Sequence, residues 1–134
     1  MAFQAAVDFD PSHAEALDSL GAVIEITGAW DRAARLYRRA LAAKPGLRLA
    51  HYHLGRILAN QRRFQEAIEE FEKAIDPMDE HTPGYLYALG ATHARAGARV
   101  KAVEILRRAR DEAIRAQQAP LAASIDRDLA KLQN

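Results

Sequence analysis

Five histidines, three serines and four tyrosines, with many arginines, are the groups from which this chain could build chemistry, and their spacing decides against most of it. The histidines are His13, His51, His53, His81 and His93. On a helix His51 and His53 point about 200° apart, and no His-x-x-x-His pair offers zinc two ligands from one face. Ser12, Ser19 and Ser124 lie outside any nucleophile-elbow sequence, and no glycine-rich loop is spaced to cradle phosphate. With no cysteine there is no thiolate ligand, disulfide or sulfur nucleophile. The residues therefore imply no catalytic set, no metal and no cofactor. What remains is recognition: tyrosine and arginine are the types most enriched where binding energy concentrates.

The whole-chain properties narrow the partner. Nineteen Lys+Arg against eighteen Asp+Glu leave a formal charge of +1, so no global field favours nucleic acid or an anionic membrane. No run approaches the roughly 18 apolar residues that a membrane span needs. The start, Met1-Ala2-Phe3-Gln4-Ala5-Ala6-Val7-Asp8, is read as too short for a signal peptide. Expected partners are proteins or peptides, with no nucleic acid and no membrane insertion. The compartment stays open, with the cytoplasm as default. At 134 residues, with 7% aromatic content and abundant alanine, the composition favours closely packed helices.

The elements that position the tyrosines and arginines come from an internal repeat. Leu20-Gly21, Leu54-Gly55 and Leu89-Gly90 stand 34 and then 35 residues apart. Twelve residues past each glycine comes Ala33, Ala67 and Ala102; sixteen past, Tyr37, Phe71 and Leu106; nineteen past, Ala40, Ala74 and Ala109. Small residues in three columns let two antiparallel helices approach closely, and large ones between them fill the layers. Each hairpin alone would leave an apolar face bare, so stacking is obligatory.

These columns resemble the tetratricopeptide repeat. Its pattern is met in the first repeat by Leu17, Leu20, Gly21, Ile24, Ala33, Tyr37, Ala40 and Pro45, and in the second by His51, Leu54, Gly55, Leu58, Ala67, Phe71 and Ala74, with the proline early at Pro77. The third keeps Leu86, Leu89, Gly90, Ala102 and Ala109 but has His93, Arg99 and Leu106 at other pattern positions. The resemblance implies an all-α, right-handed superhelical solenoid of antiparallel hairpins. We expect repeats at 14–47, 48–82 and 83–116, a capping helix at 117–134, and residues 1–13 as the tail of a preceding repeat's second helix plus a linker. The last point marks the chain as a fragment of a longer repeat protein. Helices are expected near 13–27, 30–43, 48–61, 64–76, 83–96 and 99–117. Ser12-x-x-Glu15 should cap the first, and Thr82 before Pro83 should cap the fifth. Gly28 and Gly97 mark turns inside hairpins. In the last helix Leu121, Ile125, Leu129 and Leu132 form one apolar stripe, with Ser124, Asp126, Arg127, Asp128 and Lys131 facing away.

The resemblance also implies a concave groove, lined by the first helix of each hairpin, that takes a peptide or helix of a partner. The stripe facing it reads Glu15, Asp18 and Glu25, then Tyr52, His53, Arg56 and Asn60, then Tyr87 and Arg95. It is acidic at one end and basic with tyrosines beyond. Tyr52, Arg56, Tyr87 and Arg95 are the expected ligand contacts; alternatively the tyrosines pack across the groove and the arginines are solvated. The clamp with which some family members hold a chaperone's C-terminal carboxylate is missing, because its positions carry Asp18, Ala22, His53, Gly84 and Ala88. On the second helices, Arg32, Arg35 and Arg38 face Glu66, Glu69 and Glu72 in matching register, followed by Lys101, Glu104 and Arg107, and should attract across the convex surface. The reading is a non-enzymatic protein–protein interaction module. Its rivals are a substrate-docking arm of a larger enzyme and a scaffold self-associating through the N-terminal edge at Phe3 and Val7.

Overall fold

A computed structural model describes residues 13–133. Residues 1–12 lie outside it, and with them Ser12, the expected repeat tail and the N-terminal self-association edge. Among the described residues there are seven helices and no strand: α1 (Ala14–Ile26), α2 (Trp30–Ala43), α3 (Arg48–Asn60), α4 (Phe64–Ile75), α5 (Thr82–Arg95), α6 (Arg99–Arg115) and α7 (Ala119–Gln133). The chain is an all-α helical-repeat solenoid in which α1–α2, α3–α4 and α5–α6 form packed hairpins, each stacked on the next, with α7 against α6.

The column residues make the hairpins. A Cβ on Gly21 would lie 2.6 Å from Tyr37 Cε1, one on Gly55 2.8 Å from the Phe71 ring, and one on Gly90 2.7 Å from Leu106 Cδ2. Each glycine is thus the seat for the large residue of the opposite helix. Ala33, Ala67 and Ala102 have no exposed surface at all, nor do Ala40, Ala74 and Ala109. The apolar core runs without a break from α2 to α7, and Ile24 and Leu41 join it to a second cluster around Leu17, Leu20 and Leu36.

Four connections contain a residue in the left-handed region: Gly28 and Gly97 (φ +88°), but also Arg62 (φ 63°) and Gln117 (φ 59°). At three of them the turn closes with a bond spanning five residues, from Arg63 N to Leu58 O, Ala98 N to His93 O, and Gln118 N to Ala113 O, a helix-ending geometry that glycine enters most readily. The N-caps differ from expectation. His13 caps α1, its Nδ1 accepting from Ala16 N at 3.2 Å. Thr82 falls inside α5 and is fully buried, its hydroxyl oxygen accepting from Asp79 N at 2.9 Å, so it stabilises the α4–α5 connection. Arg48 bonds to Asp79 at 2.6 Å and to the Pro77 carbonyl, fastening the start of α3 to the same connection.

The charged rows on the outer helices do not meet. Among the described residues no ion pair joins Arg32, Arg35 or Arg38 to Glu66, Glu69 or Glu72; Glu66 turns back to Arg63 at 2.6 Å, and Lys101 pairs with Glu104 at 3.9 Å along α6. The reason is the stacking itself. Successive second helices do not pack on each other, because the first helix of the following hairpin lies between them, whereas the first helices do touch.

His51 is buried at the junction of α3, α4 and the preceding loop. Its Nε2 donates to Pro45 O at 2.8 Å, while Nδ1 faces the Glu70 carboxylate at 3.4 Å. Both neighbours only accept, so the imidazolium satisfies both ring nitrogens and the neutral ring only one. The Glu70 hydrogen bond, opposed by burial, raises the His51 pKa above its ordinary 6.5.

Two outcomes follow from this packing. Gly55→Ala should destabilise by about 1–3 kcal/mol, because the rigid Phe71 ring must move. Gly84→Ala on α5, where a Cβ meets nothing within 4 Å, should stabilise by up to ~1 kcal/mol; denaturant midpoints at constant m-value decide both signs. The raised His51 pKa contributes stability that is complete below pH 6.5 and is lost as pH rises through the higher folded value. His51→Gln should therefore cost more at pH 6 than at pH 8, by about 1 kcal/mol, in thermal unfolding compared at the two pH values.

Candidate functional site: a polar groove on the inner helices

The inner face is built from α1, α3, α5 and α7, and its side chains engage one another across the helix gaps. Asp18, almost fully buried on α1, accepts from His53 Nδ1 on α3 at 2.9 Å, and the His53 ring lies 5.0 Å from that of Tyr37. Glu25 takes two donors on its two oxygens, the Tyr37 hydroxyl and Arg56 Nη2, each at 2.7 Å. The Arg56 guanidinium also sits 5.5 Å from the centre of the Tyr52 ring. Burial works against its charge, and the hydrogen bond and charge of Glu25 overcome that. Burial and the bond to Glu25 push the Tyr37 hydroxyl far above its ordinary range.

The stripe that reads as acidic, then basic, is thus largely paired. Asp18 is hydrogen-bonded to His53 and Glu25 ion-paired with Arg56 across the α1–α3 gap, because facing positions on adjacent first helices come within hydrogen-bond reach. The side chain of Arg56 remains 42% exposed. Asn60 is exposed at the end of α3. Tyr52 packs on Tyr85 with ring centres 4.9 Å apart. Arg95 lies over Phe64, 5.3 Å from its ring centre, and Arg62 covers the same ring. Tyr87 donates to Asp128 on α7, and this bond with burial pushes its pKa up to about 12. The helical stripe predicts that Asp128 faces away from the core, but α7 packs so that it reaches back to α5. The structure therefore joins Asp18, Glu25, Tyr52, His53 and Arg56 into one network and leaves Asn60, Tyr87 and Arg95 outside it.

Next to Tyr52 opens a hollow of about 320 Å³ lined by Leu49, Tyr52, Gly84, Tyr85 and Leu121 together with the polar Glu80, His81 and Gln118. Leu49 is 43% exposed there. The stripe read from the sequence names polar and aromatic residues, and nothing in it signals Leu49, Tyr85, His81 or Leu121. A larger hollow of about 640 Å³, between the start of α6 and the end of α7 and lined by Val100, Val103 and Leu132 among others, contains none of the groove residues. His93 Nε2 is buried without a partner among the described residues, and burial lowers its pKa. Among the described residues no group of three or more His, Asp or Glu is placed to hold a metal, and no helix is long and apolar enough to cross a membrane.

The family model of the tetratricopeptide repeat matches residues 2–48 and 27–84. The chain belongs to the tetratricopeptide-repeat family. Solved structures agree on the fold. YrrB, described as a tetratricopeptide-repeat protein with an unusual peptide-binding site, is 24% identical with a TM-score of 0.73 over 81% of this chain. PilF of Pseudomonas aeruginosa is 20% identical with a TM-score of 0.76 over 96% of the chain, and the N-terminal domain of stress-induced protein-1 from C. elegans is 16% identical with a TM-score of 0.76, over 90% of this chain and 94% of that one. The chain spans 56% and 65% of the YrrB and PilF structures. No curated protein sequence matches it. Tetratricopeptide repeats are in general scaffolds for protein interaction, and the chain carries a repeat module of this kind.

The network ranks its members. Glu25→Ala strands both the Tyr37 hydroxyl and Arg56 and should cost about 2 kcal/mol, whereas Arg56→Ala removes a half-exposed cation and should cost less than about 1 kcal/mol. Equal or reversed losses in urea unfolding would contradict the central place of Glu25.

Proposed function

We propose that the chain binds a peptide or helical segment of a partner protein along its inner face, with Tyr52 and Arg56 at the centre of the contact. In this reading 14–47, 48–82 and 83–116 are the three stacked repeats, and 117–134 closes the array.

The observation that carries the reading is the state of Arg56. Its guanidinium is held by Glu25 and the Tyr52 ring, yet its side chain stays 42% exposed. A cation fixed in place before binding loses little rotamer freedom when a ligand arrives. It offers its free N–H groups to a main-chain carbonyl or a carboxylate of the partner. Beside it, the hollow walled by Leu49, Tyr52, Tyr85 and Leu121 accepts one bulky apolar side chain. The ligand class is accordingly a segment that pairs an apolar anchor with a hydrogen-bond acceptor. Asp18 and Glu25, already paired with His53 and Arg56, position the inner face rather than attract a basic ligand.

Random peptides displayed on phage and selected on the intact chain test this. Selected peptides should share a bulky apolar residue, and Tyr52→Ala or Arg56→Glu should weaken them by about tenfold or more. Peptides that keep their affinity for both variants but lose it on Val100→Glu would place the site at the hollow between α6 and α7 and overturn the assignment.

A further inference from the structure

We propose that the outer faces of α2 and α4 form a self-complementary surface through which two copies of this chain associate about a two-fold axis.

The charges on these helices are segregated. α2 carries four arginines against one aspartate, and α4 four glutamates against one lysine, so the two helices bear equal and opposite charge in a chain whose total is only +1. Arg32, Arg35 and Arg38 are all exposed, as are Glu66, Glu69 and Glu72. Within the molecule the two rows do not pair, since among the described residues the ion pairs of α4 are Glu66 with Arg63 and Glu70 with Lys73 or His51. Each row is left facing outward with its charge uncompensated by the other.

The repeat fixes the register. Arg32 and Glu66, Arg35 and Glu69, and Arg38 and Glu72 are each 34 residues apart, so equivalent residues stand at the same height on helices that run in the same direction. A two-fold axis between α2 and α4, along their length, places α4 of a second copy over α2 of the first, and α2 of the second over α4 of the first. Arg32 then faces Glu66 of the other copy, Arg35 faces Glu69, and Arg38 faces Glu72, each pair occurring twice. The contact is isologous and closes at two copies. Solvent-exposed pairs of this kind are individually weak and are screened within about 10 Å at 0.1 M salt, so association belongs to low ionic strength. This surface is separate from the inner face, and the proposal stands whether or not the peptide-binding reading does.

Sedimentation equilibrium of the full chain tests it. At about 0.02 M salt the apparent mass should rise from 14.8 kDa towards twice that value, and at about 1 M salt it should return to the monomer. Arg35→Glu with Arg38→Glu makes both rows acidic, and Glu69→Arg with Glu72→Arg makes both basic. Each variant should be monomeric alone at low salt, and an equimolar mixture should recover the dimer. Because the chain has no cysteine, Arg35→Cys combined with Glu69→Cys gives a check on register that does not depend on charge reversal: on oxidation it should form a covalent dimer, whereas Arg32→Cys combined with Glu72→Cys should not. A wild-type chain that is monomeric at low salt, a dimer that survives either reversal, or a mixture that stays monomeric would overturn the proposal. So would binding of duplex DNA by the arginine row while the chain remains a monomer.

Discussion

Everything in this molecule depends on how closely the two helices of a hairpin can approach. Gly21 lies under Tyr37, Gly55 under Phe71 and Gly90 under Leu106, at distances that leave no room for a methyl group without displacing the large side chain. A large residue seated on bare backbone is excluded from water on all sides, which is why Tyr37, Phe71 and Leu106 are among the most deeply buried side chains. The alanines at the other two columns let the same close approach continue along the helix pair. With each hairpin thin at the contact and apolar on its flanks, stacking is the route by which Leu17, Leu54 and Leu86 leave solvent.

Stacking the hairpins makes two unlike surfaces. First helices crowd together on the inside, and second helices separate on the outside. Crowding brings facing polar residues into bonding distance, so Asp18 finds His53, and Glu25 finds both Tyr37 and Arg56. Separation keeps the outer arginine and glutamate rows apart, so charges that match in register do not neutralise. One geometric cause thus gives an inner face whose polar groups are pre-positioned and an outer face whose arginine and glutamate rows do not pair with each other.

The sequence makes the repeat legible because its signal is steric and local: a glycine and the residue that covers it must recur together. Turn chemistry is legible only where glycine supplies it. Gly28 and Gly97 mark their turns, but Arg62 and Gln117 enter the same left-handed conformation without any such flag, held there by the bonds that end α3 and α6. Capping by His13 and the burial of Thr82 are likewise invisible, since Ser12 and Thr82 are the residues that propensity favours as caps. At the site, helical period identifies which residues share a face but not how far that face lies from its neighbour. That distance converts an apparent string of opposite charges into the pairs Asp18–His53 and Glu25–Arg56. It also decides that Leu49 and Tyr85, with no polar pattern to single them out, wall the hollow beside Tyr52.

The last helix shows what such a distance can change. Read alone, the amphipathic stripe of α7 is a cover for the end of the array, with Asp128 among the residues turned to solvent. Its connection to α6 ends in the same left-handed geometry as the turns inside the hairpins, with Gln118 N bonded to Ala113 O, so α7 folds back tightly along α6. That return places its start beside the α4–α5 connection, where Gln118 Nε2 donates to Glu80 O at 2.7 Å, and its middle beside α5, where Asp128 receives the Tyr87 hydroxyl. Ile125 and Leu129 are buried by the same packing, so the polar contacts are supported by apolar ones. Leu121 is thereby brought to the hollow that also contains Leu49, Tyr52 and Tyr85. α7 is therefore a wall of the inner face, and the shape of that face beside Tyr52 is set as much by the α6–α7 turn as by the repeats.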